Sequence, residues 1–429
     1  MLTDLRVREG RSTGAELAMT TWVGQIRRVA AVATLAFALA SCGSKGTQDQ
    51  ATTGDTLNLG ASMSLSGSLE KEGKLTQQGY DYCVSTVNAK GGVKVGDRSL
   101  RLHIDYQDDQ SQPDTAGQLV DQFNDRGYQL ILGPYGSATT GAAMPVVERN
   151  GQVMVDSSGA DDKLFTKGYQ RTFAVLSPAS VYAASIVNAI NELATPKPAS
   201  IVFLSADDGF SKTVAAAGED RARSLGFTVL PGQQFPAGAT DVSSALTRVK
   251  PSKPDVIIGS VHLAEGIAII KQAAELGVKP GGGFAETVAP PTPDFIQTLG
   301  SKANGVLSSS QWVPEVKGSD TFFGSATDYR DGFQAKFGQQ PEYHNAEATA
   351  ACLAMVLAVQ KAGSTDPARV RDALARLDEQ SFFGPLKFND KGENVTKPMS
   401  VLQIQDGKLV TIWPKDQAAG MLIWRGTRR

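Results

Sequence analysis

Four short loops gather the side chains with chemistry to offer. In GPYGSATT (133–140) a strand ends at Gly133 and a helix opens at Ser137. Free N–H groups at a helix start, with the hydroxyls of Ser137, Thr139 or Thr140, suit an anion such as the carboxylate of a small ligand. Ser137 equally serves as the cap of its own helix. GFAETVAPP (283–291) puts Glu286 at a strand end. A carboxylate facing a helix N-terminus across a cleft suits a zwitterion, with the anion at one end and the ammonium at the other. DSSGADD (156–162) and SADDGF (205–210) add hydroxyls and the acid pairs Asp161-Asp162 and Asp207-Asp208. Their ordinary roles are solvated loop charge and helix capping.

Other chemistries lack their residues. Gly67 to Leu75 (GSLEKEGKL) comes nearest a phosphate loop, but its glycines are one residue too far apart and Leu75 replaces the magnesium-holding hydroxyl. No GxGxxG follows a strand, no GxSxG forms a strand-to-helix elbow (GRSTG, 10–14, lies in the polar stretch ahead of the apolar run), and HExxH does not occur. The three cysteines (Cys42, Cys83, Cys352) form no metal spacing, and the three histidines (His103, His262, His344) are isolated. No nucleophile is paired with a base, so binding rather than catalysis is expected, without cofactor or metal. Cys83 and Cys352 fall within helical runs and read as small core residues; a disulfide between them is possible but not deducible.

The loops need elements to hold them. From residue 56 short apolar strands alternate with longer helical patterns. LNLGAS, LRLHIDY, YQLILG and QVMVDSS read as strands, with a helix from about Gly73 to Lys90 and another from Pro113, capped by Ser111, to Arg126. A second series follows: ASIVFLSA, TVLPGQQF and DVIIGS as strands, with helices in SPASVYAASIVNAINELA, FSKTVAAAGEDRARSLG and LAEGIAIIKQAAELG. Such alternation implies parallel sheets covered on both faces. Residues 321–337, 344–362 and DPARVRDALARL read as helices, and VLQIQ and KLVTIW as a hairpin around Asp406-Gly407. There are more units than one sheet holds, so two α/β lobes are expected.

Residues 29–40 (VAAVATLAFALA) are apolar, follow Arg27-Arg28 and are too short to span a bilayer. They end in Leu39-Ala40-Ser41-Cys42, which resembles the bacterial lipobox, in which the cysteine becomes the lipidated first residue. Residues 1–42 are therefore expected to be a signal segment, with translation starting at Met19, and residues 43–55 a flexible tether. Lys+Arg of 42 against Asp+Glu of 44 argues against a nucleic-acid partner, and 41% hydrophobic content argues against disorder.

The body resembles the extracellular solute-binding proteins of ABC transporters, in the leucine/isoleucine/valine-binding family. LNLGASMSLSGSLEKEGKLTQQGYDYCVSTVNAKGGV, LRLHIDYQDDQSQPDTAGQLV, LILGPYGS, VLSPASVYA and FFGPLKFNDKGEN carry the likeness. The resemblance implies an α/β, type I periplasmic-binding-protein fold: two Rossmann-like lobes, three crossovers and a ligand between them. Lobe one would be 56–177 plus 310–396, and lobe two 178–309 plus 397–429, with hinges near Leu176-Ser177-Pro178, Ser308 to Trp312 and Lys397-Pro398. By resemblance the ligand carboxylate is held by Tyr135, Gly136, Ser137, Ala138 and Thr139 and by Ser158, Gly159 and Ala160. Tyr182 lines the site, and Glu286 holds the ammonium. Ala160 stands where branched-chain binders often have Thr. Asp161, Asp162 and Asp208 bring acid to the mouth, and Trp312 is a further candidate wall. The implied partners are a small-molecule ligand, an ABC permease and ATPase complex, and the membrane through a lipid on Cys42. A monomer outside the cytoplasm is expected, on the periplasmic or outer face of the cell membrane. The alternatives are a ligand-sensing subunit of a signalling system, a binder of an amide, polyamine or aromatic acid, and, third, an amidohydrolase.

Overall fold

The computed structural model describes residues 52–424; the signal segment, Met19, Cys42 and the first residues of the tether lie outside the described residues. The first strands are β1 (Thr52–Thr53), β2 (Thr56–Met63), β3 (Val93–Val95), β4 (Arg98–Asp108), β5 (Leu130–Leu132), β6 (Val153–Asp156) and β7 (Thr172–Ala174). They form one sheet in the order β3-β4-β2-β5-β6-β7, with β1 on β2. The neighbours from β4 to β7 run parallel. Crossovers between parallel strands need helices, here α1 (Glu70–Ala89), α2 (Pro113–Asp125) and α3 (Ser137–Asn150). Continuous apolar runs such as LIL in β5 and VMV in β6 are wholly buried, as expected of strands covered on both faces. Ser111 does not cap α2: its hydroxyl donates to the Ser66 carbonyl and accepts the Leu69 N–H instead.

The chain then builds β8 (Ser200–Ala206), β9 (Thr228–Phe235), β10 (Val256–Ser260), β11 (Gly283–Glu286) and β12 (Leu307–Ser310), with helices α4 (Tyr182–Leu193), α5 (Gly209–Ser224), α6 (Ser243–Val249), α7 (Leu263–Leu276) and α8 (Pro293–Leu299). It returns through two short ribbons, β13 (Ser319–Asp320) with β14 (Gly324–Ser325) and β15 (Asp378–Ser381) with β16 (Gly384–Lys387). Between the ribbons lie α9 (Ala326–Phe337), α10 (Tyr343–Ala362) and α11 (Pro367–Ala375). The final hairpin, β17 (Ser400–Gln405) and β18 (Lys408–Trp413), joins the second sheet, ordered β18-β17-β12-β11-β10-β8-β9. Each sheet with its helices forms a lobe, and the chain passes between lobes three times: after β7, after β12 and before β17.

The sequence assigned a helix to 321–337, but α9 starts only at Ala326. Asp320 accepts the N–H groups of Phe322 and Phe323 in a turn, and Ser325 and Asp328 then form a reciprocal capping box that sets the helix start.

Helix α10 holds the site together. Sixteen of its 20 residues are buried, mostly Ala and aliphatic, so it is wrapped by protein on every side. It packs so closely on α1 that a Cβ on Gly79 would lie 2.2 Å from the Asn345 carbonyl oxygen. Cys83 of α1 and Cys352 of α10, whose pairing the sequence left open, are joined as a disulfide.

Candidate functional site

The loops after β5, β6, β8, β10 and β11 all open at the carboxyl ends of their strands, where ligands of open α/β sheets bind. After β5 the chain turns through Gly136, at φ 93°, a conformation that suits glycine. It enters α3 with no side-chain cap on the first-turn N–H groups. The Ser137 hydroxyl accepts the Asp161 N–H at 3.1 Å rather than capping its own helix. The Thr139 hydroxyl turns back to the carbonyls of Tyr135 and Gly136.

After β6, Asp156 organises the second loop. Its buried carboxylate accepts the N–H groups of Ser158 and Gly159 and the Thr140 hydroxyl. Burial pushes its pKa up to about 6 despite the opposing pull of these bonds. A Cβ on Gly159 would sit 2.6 Å from Thr140, so only glycine fits there.

Helix α10 closes the space from the side. Glu342 caps its start, and its carboxylate accepts the His344 N–H and meets His344 Nδ1 at 2.8 Å. His344 Nε2 lies 3.2 Å from the Tyr135 hydroxyl. One turn on, Glu347 is 1% exposed. Its Oε1 accepts from Ser158 at 3.3 Å, and its Oε2 has no hydrogen-bond partner. Burial drives its pKa well above the carboxylate range; Glu342 and Asp156 add to this, while Ser158 and Lys397 oppose it.

These groups surround a narrow, nearly closed inter-lobe cavity of about 10 Å³. Lobe one supplies Tyr135, Ser137, Ser158, Tyr343, His344 and Glu347; lobe two supplies Tyr182, Phe210, His262 and Val288. Val288 has φ 64°, a strained conformation for a β-branched residue. A larger groove of about 660 Å³ is lined by Trp312, Arg330 and Leu409 among others. None of its lining residues carries an unpartnered buried side-chain polar atom, so the smaller cavity is the better candidate. Among the described residues no cluster of three or more His, Cys, Asp or Glu is placed to hold a metal.

Of the residues expected from the sequence, Tyr135, Ser137, Ser158 and Tyr182 line the cavity. Gly136, Ala138 and Asp208 line an adjoining cleft that shares Ser137, Phe210 and His262 with it. Asp208 is occupied as the cap of α5, accepting from the N–H and hydroxyl of Ser211. Thr139, Gly159 and Ala160 stand behind the wall, Ala160 accepting the Ala179 N–H through its carbonyl. Trp312 packs in the lobe-one core and donates to the Phe382 carbonyl.

Glu286 stands apart from the other expected residues. It is fully buried but is not part of the cavity wall. Its Cγ lies over Gly259, and its Oε2 would meet a Cβ on Gly266 of α7 at 2.5 Å, so the side chain is packed against that helix. Val288, two residues on, is the residue of this loop that reaches the cavity. Sequence reasoning missed Glu347, Tyr343, His344, His262, Phe210 and Val288. Phe210 and Val288 lay in loops already singled out, whereas Glu347 was hidden in a helix read as core.

The family model described as periplasmic binding protein matches residues 56–408. The chain belongs to this family. It is 27% identical over 358 residues to the Leu/Ile/Val-binding protein homolog 8 of Brucella abortus, covering 80% of this chain and 86% of that one. The branched-chain amino acid transporter substrate-binding protein LivJ of Streptococcus pneumoniae, solved with isoleucine, superposes with a TM-score of 0.73 at 22% identity, covering 84% of this chain and 100% of that one. A solute-binding protein of an ABC transporter from Rhodopseudomonas palustris, solved with 3,4-dihydroxybenzoic acid, gives 0.71 at 18%, covering 83% and 96%. The architecture is the type I periplasmic-binding-protein fold.

In this periplasmic binding protein the three crossovers are stitched to one another. Gln311, in the second, accepts the Ser177 N–H and donates to the Ser177 carbonyl, both at 3.0 Å. Ser177, in the first, donates its hydroxyl to the Lys397 carbonyl in the third at 2.9 Å. The buried Lys397 ammonium donates to the Gln311 carbonyl and lies 4.1 Å from the centroid of the Phe383 ring. Burial lowers its pKa to about 7. The two bonds to Ser177 fix which way the Gln311 amide points. Its Nε2 therefore donates to the Tyr182 hydroxyl at 2.8 Å, and the Tyr182 proton is left for another acceptor.

The lobes also meet across the cleft. Glu72 of α1 accepts the Leu263 N–H at the start of α7, Lys71 pairs with Asp294, and Thr213 donates to Asp161.

Proposed function

We propose that this chain is the extracytoplasmic solute-binding component of an ABC importer, anchored through a lipid on Cys42, and that it captures a small amino-acid-like zwitterion between its lobes. The observation that carries the reading is the inter-lobe cavity itself. It joins an uncapped helix N-terminus and the hydroxyls of Ser137 and Tyr182, suited to a carboxylate, with a buried acid, suited to an amine. The Brucella relatives named for leucine, isoleucine and valine and the isoleucine-bound neighbour support an amino acid. Closure follows from ligand contacts made only when both lobes are engaged, which shifts the open–closed population toward the form a transporter reads.

An aromatic acid is the second reading, favoured by the rings of Tyr135, Tyr182, Phe210 and Tyr343 around the cavity and by the dihydroxybenzoate-bound neighbour. A thermal-shift panel of amino acids, amides, polyamines and aromatic acids on the purified chain decides between them. A ligand at 100 times its Kd stabilises the folded state by about 2.7 kcal/mol. If aromatic acids shift the melting temperature and amino acids do not, the zwitterion reading is wrong. Membrane partitioning of a Cys42→Ser form tests the anchor: a variant that still pellets with membranes removes it.

A further inference from the structure

We propose that Glu347 of α10, rather than Glu286, recognises the cationic nitrogen of the captured solute, with the aromatic rings of both lobes completing the cage around it. This rests on the capture reading above and names the residue and the solute feature that set its selectivity.

Among the described residues two buried carboxyls have oxygens without partners: Glu286, at both atoms, and Glu347, at Oε2. Only Glu347 lines the cavity. Glu286 is fully buried, with its Cγ beside Gly259 of β10 and its Oε2 beside Gly266 of α7. An unpaired carboxyl oxygen in a desolvated cavity is costly when the cavity is empty and becomes a strong acceptor when a cation fills it.

The surroundings favour the same charge. Asp156 at the end of β6 and Glu342 at the start of α10 add negative potential at Glu347; Lys397 of the third crossover opposes it. His344, also on α10, and His262 of lobe two are the other titratable nitrogens at the cavity wall. Glu342 sits on Nδ1 of His344, which leaves Nε2 to accept from Tyr135. The Tyr135 oxygen is then itself an acceptor for a donor in the cavity. The rings of Tyr135, Tyr182, Phe210 and Tyr343 present faces and edges suited to an ammonium, primary or methylated.

A consequence separates this role from packing. Burial keeps Glu347 protonated in the empty cavity, and pairing with a cation ionises it. Capture then releases that proton to the buffer. The experiment is calorimetric titration of the full chain with the amino acids, glycine betaine and the same acids lacking the nitrogen, in two buffers of different ionisation enthalpy, repeated for Glu347→Gln and Glu286→Gln. The expected result is that only nitrogen-bearing acids bind, with proton release that varies with pH. Glu347→Gln should weaken them roughly 10- to 100-fold and abolish the release, and Glu286→Gln should do neither. Equal binding of the acids lacking nitrogen, unchanged affinity in Glu347→Gln, or loss confined to Glu286→Gln overturns the assignment while leaving solute capture standing. The comparison of acids with and without the nitrogen needs only the parent, so a Glu347→Gln form that fails to fold leaves the test intact: equal binding of the two also overturns it. If no compound of any class binds the parent, the capture reading falls instead.

Discussion

Replacing Gln311 by Leu tests whether the three crossovers act as one hinge. The substitution keeps roughly the same bulk and removes every side-chain hydrogen bond. Gln311 is 1% exposed, so water cannot take over. The Ser177 N–H and carbonyl each lose their 3.0 Å partner inside the protein. An orphaned buried polar group costs about 1–3 kcal/mol, which gives roughly 2–6 kcal/mol for the pair. Tyr182 loses a donor but keeps its own proton to give, so its share is small. The bond from Lys397 to the Gln311 backbone carbonyl is untouched, which makes the variant specific for the Ser177 clamp. Urea unfolding followed by tryptophan fluorescence and by circular dichroism is the assay, because two probes also reveal whether the lobes still unfold together. The expected result is a lower midpoint and separation of the two curves, as lobes released from a shared clamp unfold independently. Tyr182→Phe is the control: it removes the hydroxyl that Gln311 meets at 2.8 Å but leaves the clamp, and should lie within about 1 kcal/mol of the parent. A Gln311→Leu midpoint equal to that of the parent, with coincident probes, would refute the clamp argument.

Other consequences are as direct. The Cys83–Cys352 bridge spans 269 residues, and the loop-entropy relation gives it about 5.6 kcal/mol; reductant or Cys352→Ala should lower the unfolding midpoint, and two free thiols in the folded, unreduced protein would contradict the pairing. Glu72→Gln removes a charged acceptor from the Leu263 N–H across the cleft, so the closed form should be less populated and solute affinity roughly 10-fold weaker; an unchanged small-angle scattering radius and affinity would show that this contact does not hold the lobes. Asp156 has its folded-state pKa raised to about 6 from 3.8, so the folded protein holds a proton that the unfolded chain has released between those values. Its contribution is complete below about pH 4 and is lost as pH rises through 6, on the order of 3 kcal/mol; an Asp156→Asn form should lack that fall, and an identical pH–stability curve would count against it. Lys397 runs the other way: with its pKa lowered to about 7, it makes stability rise with pH from there toward 10, a rise that Lys397→Met should remove.

The strand-end loops were legible because their signals are local. Gly133 closing β5 and Ser137 opening α3 are punctuation read within eight residues, and the structure puts Tyr135, Ser137 and Ser158 at one cavity. What local signals cannot give is the direction of a side chain past the end of a strand. Glu286 was rightly placed at the end of β11, but its carboxyl packs under α7 against Gly266, and the strained turn at Val288 sends a valine into the cavity instead. The Cys83–Cys352 pairing fails for a related reason: nothing in two helical patterns 269 residues apart says that they lie face to face.

Glu347 is different, because a signal for it did exist. From His344 to Val359 the helix is buried at nearly every position, and Glu347 is its only carboxylate. A helix that is apolar all round has no solvated face to offer an acid, so such a residue must be paired, neutral or waiting for a partner. Here Ser158 satisfies one oxygen and nothing satisfies the other. The disulfide and the Gly79 contact lock α10 onto α1, so the carboxyl cannot relax toward water without breaking the best-packed helix pair in lobe one. The cost of that unpaired oxygen is therefore fixed by the fold and relieved only from the cavity side, which is where a solute enters.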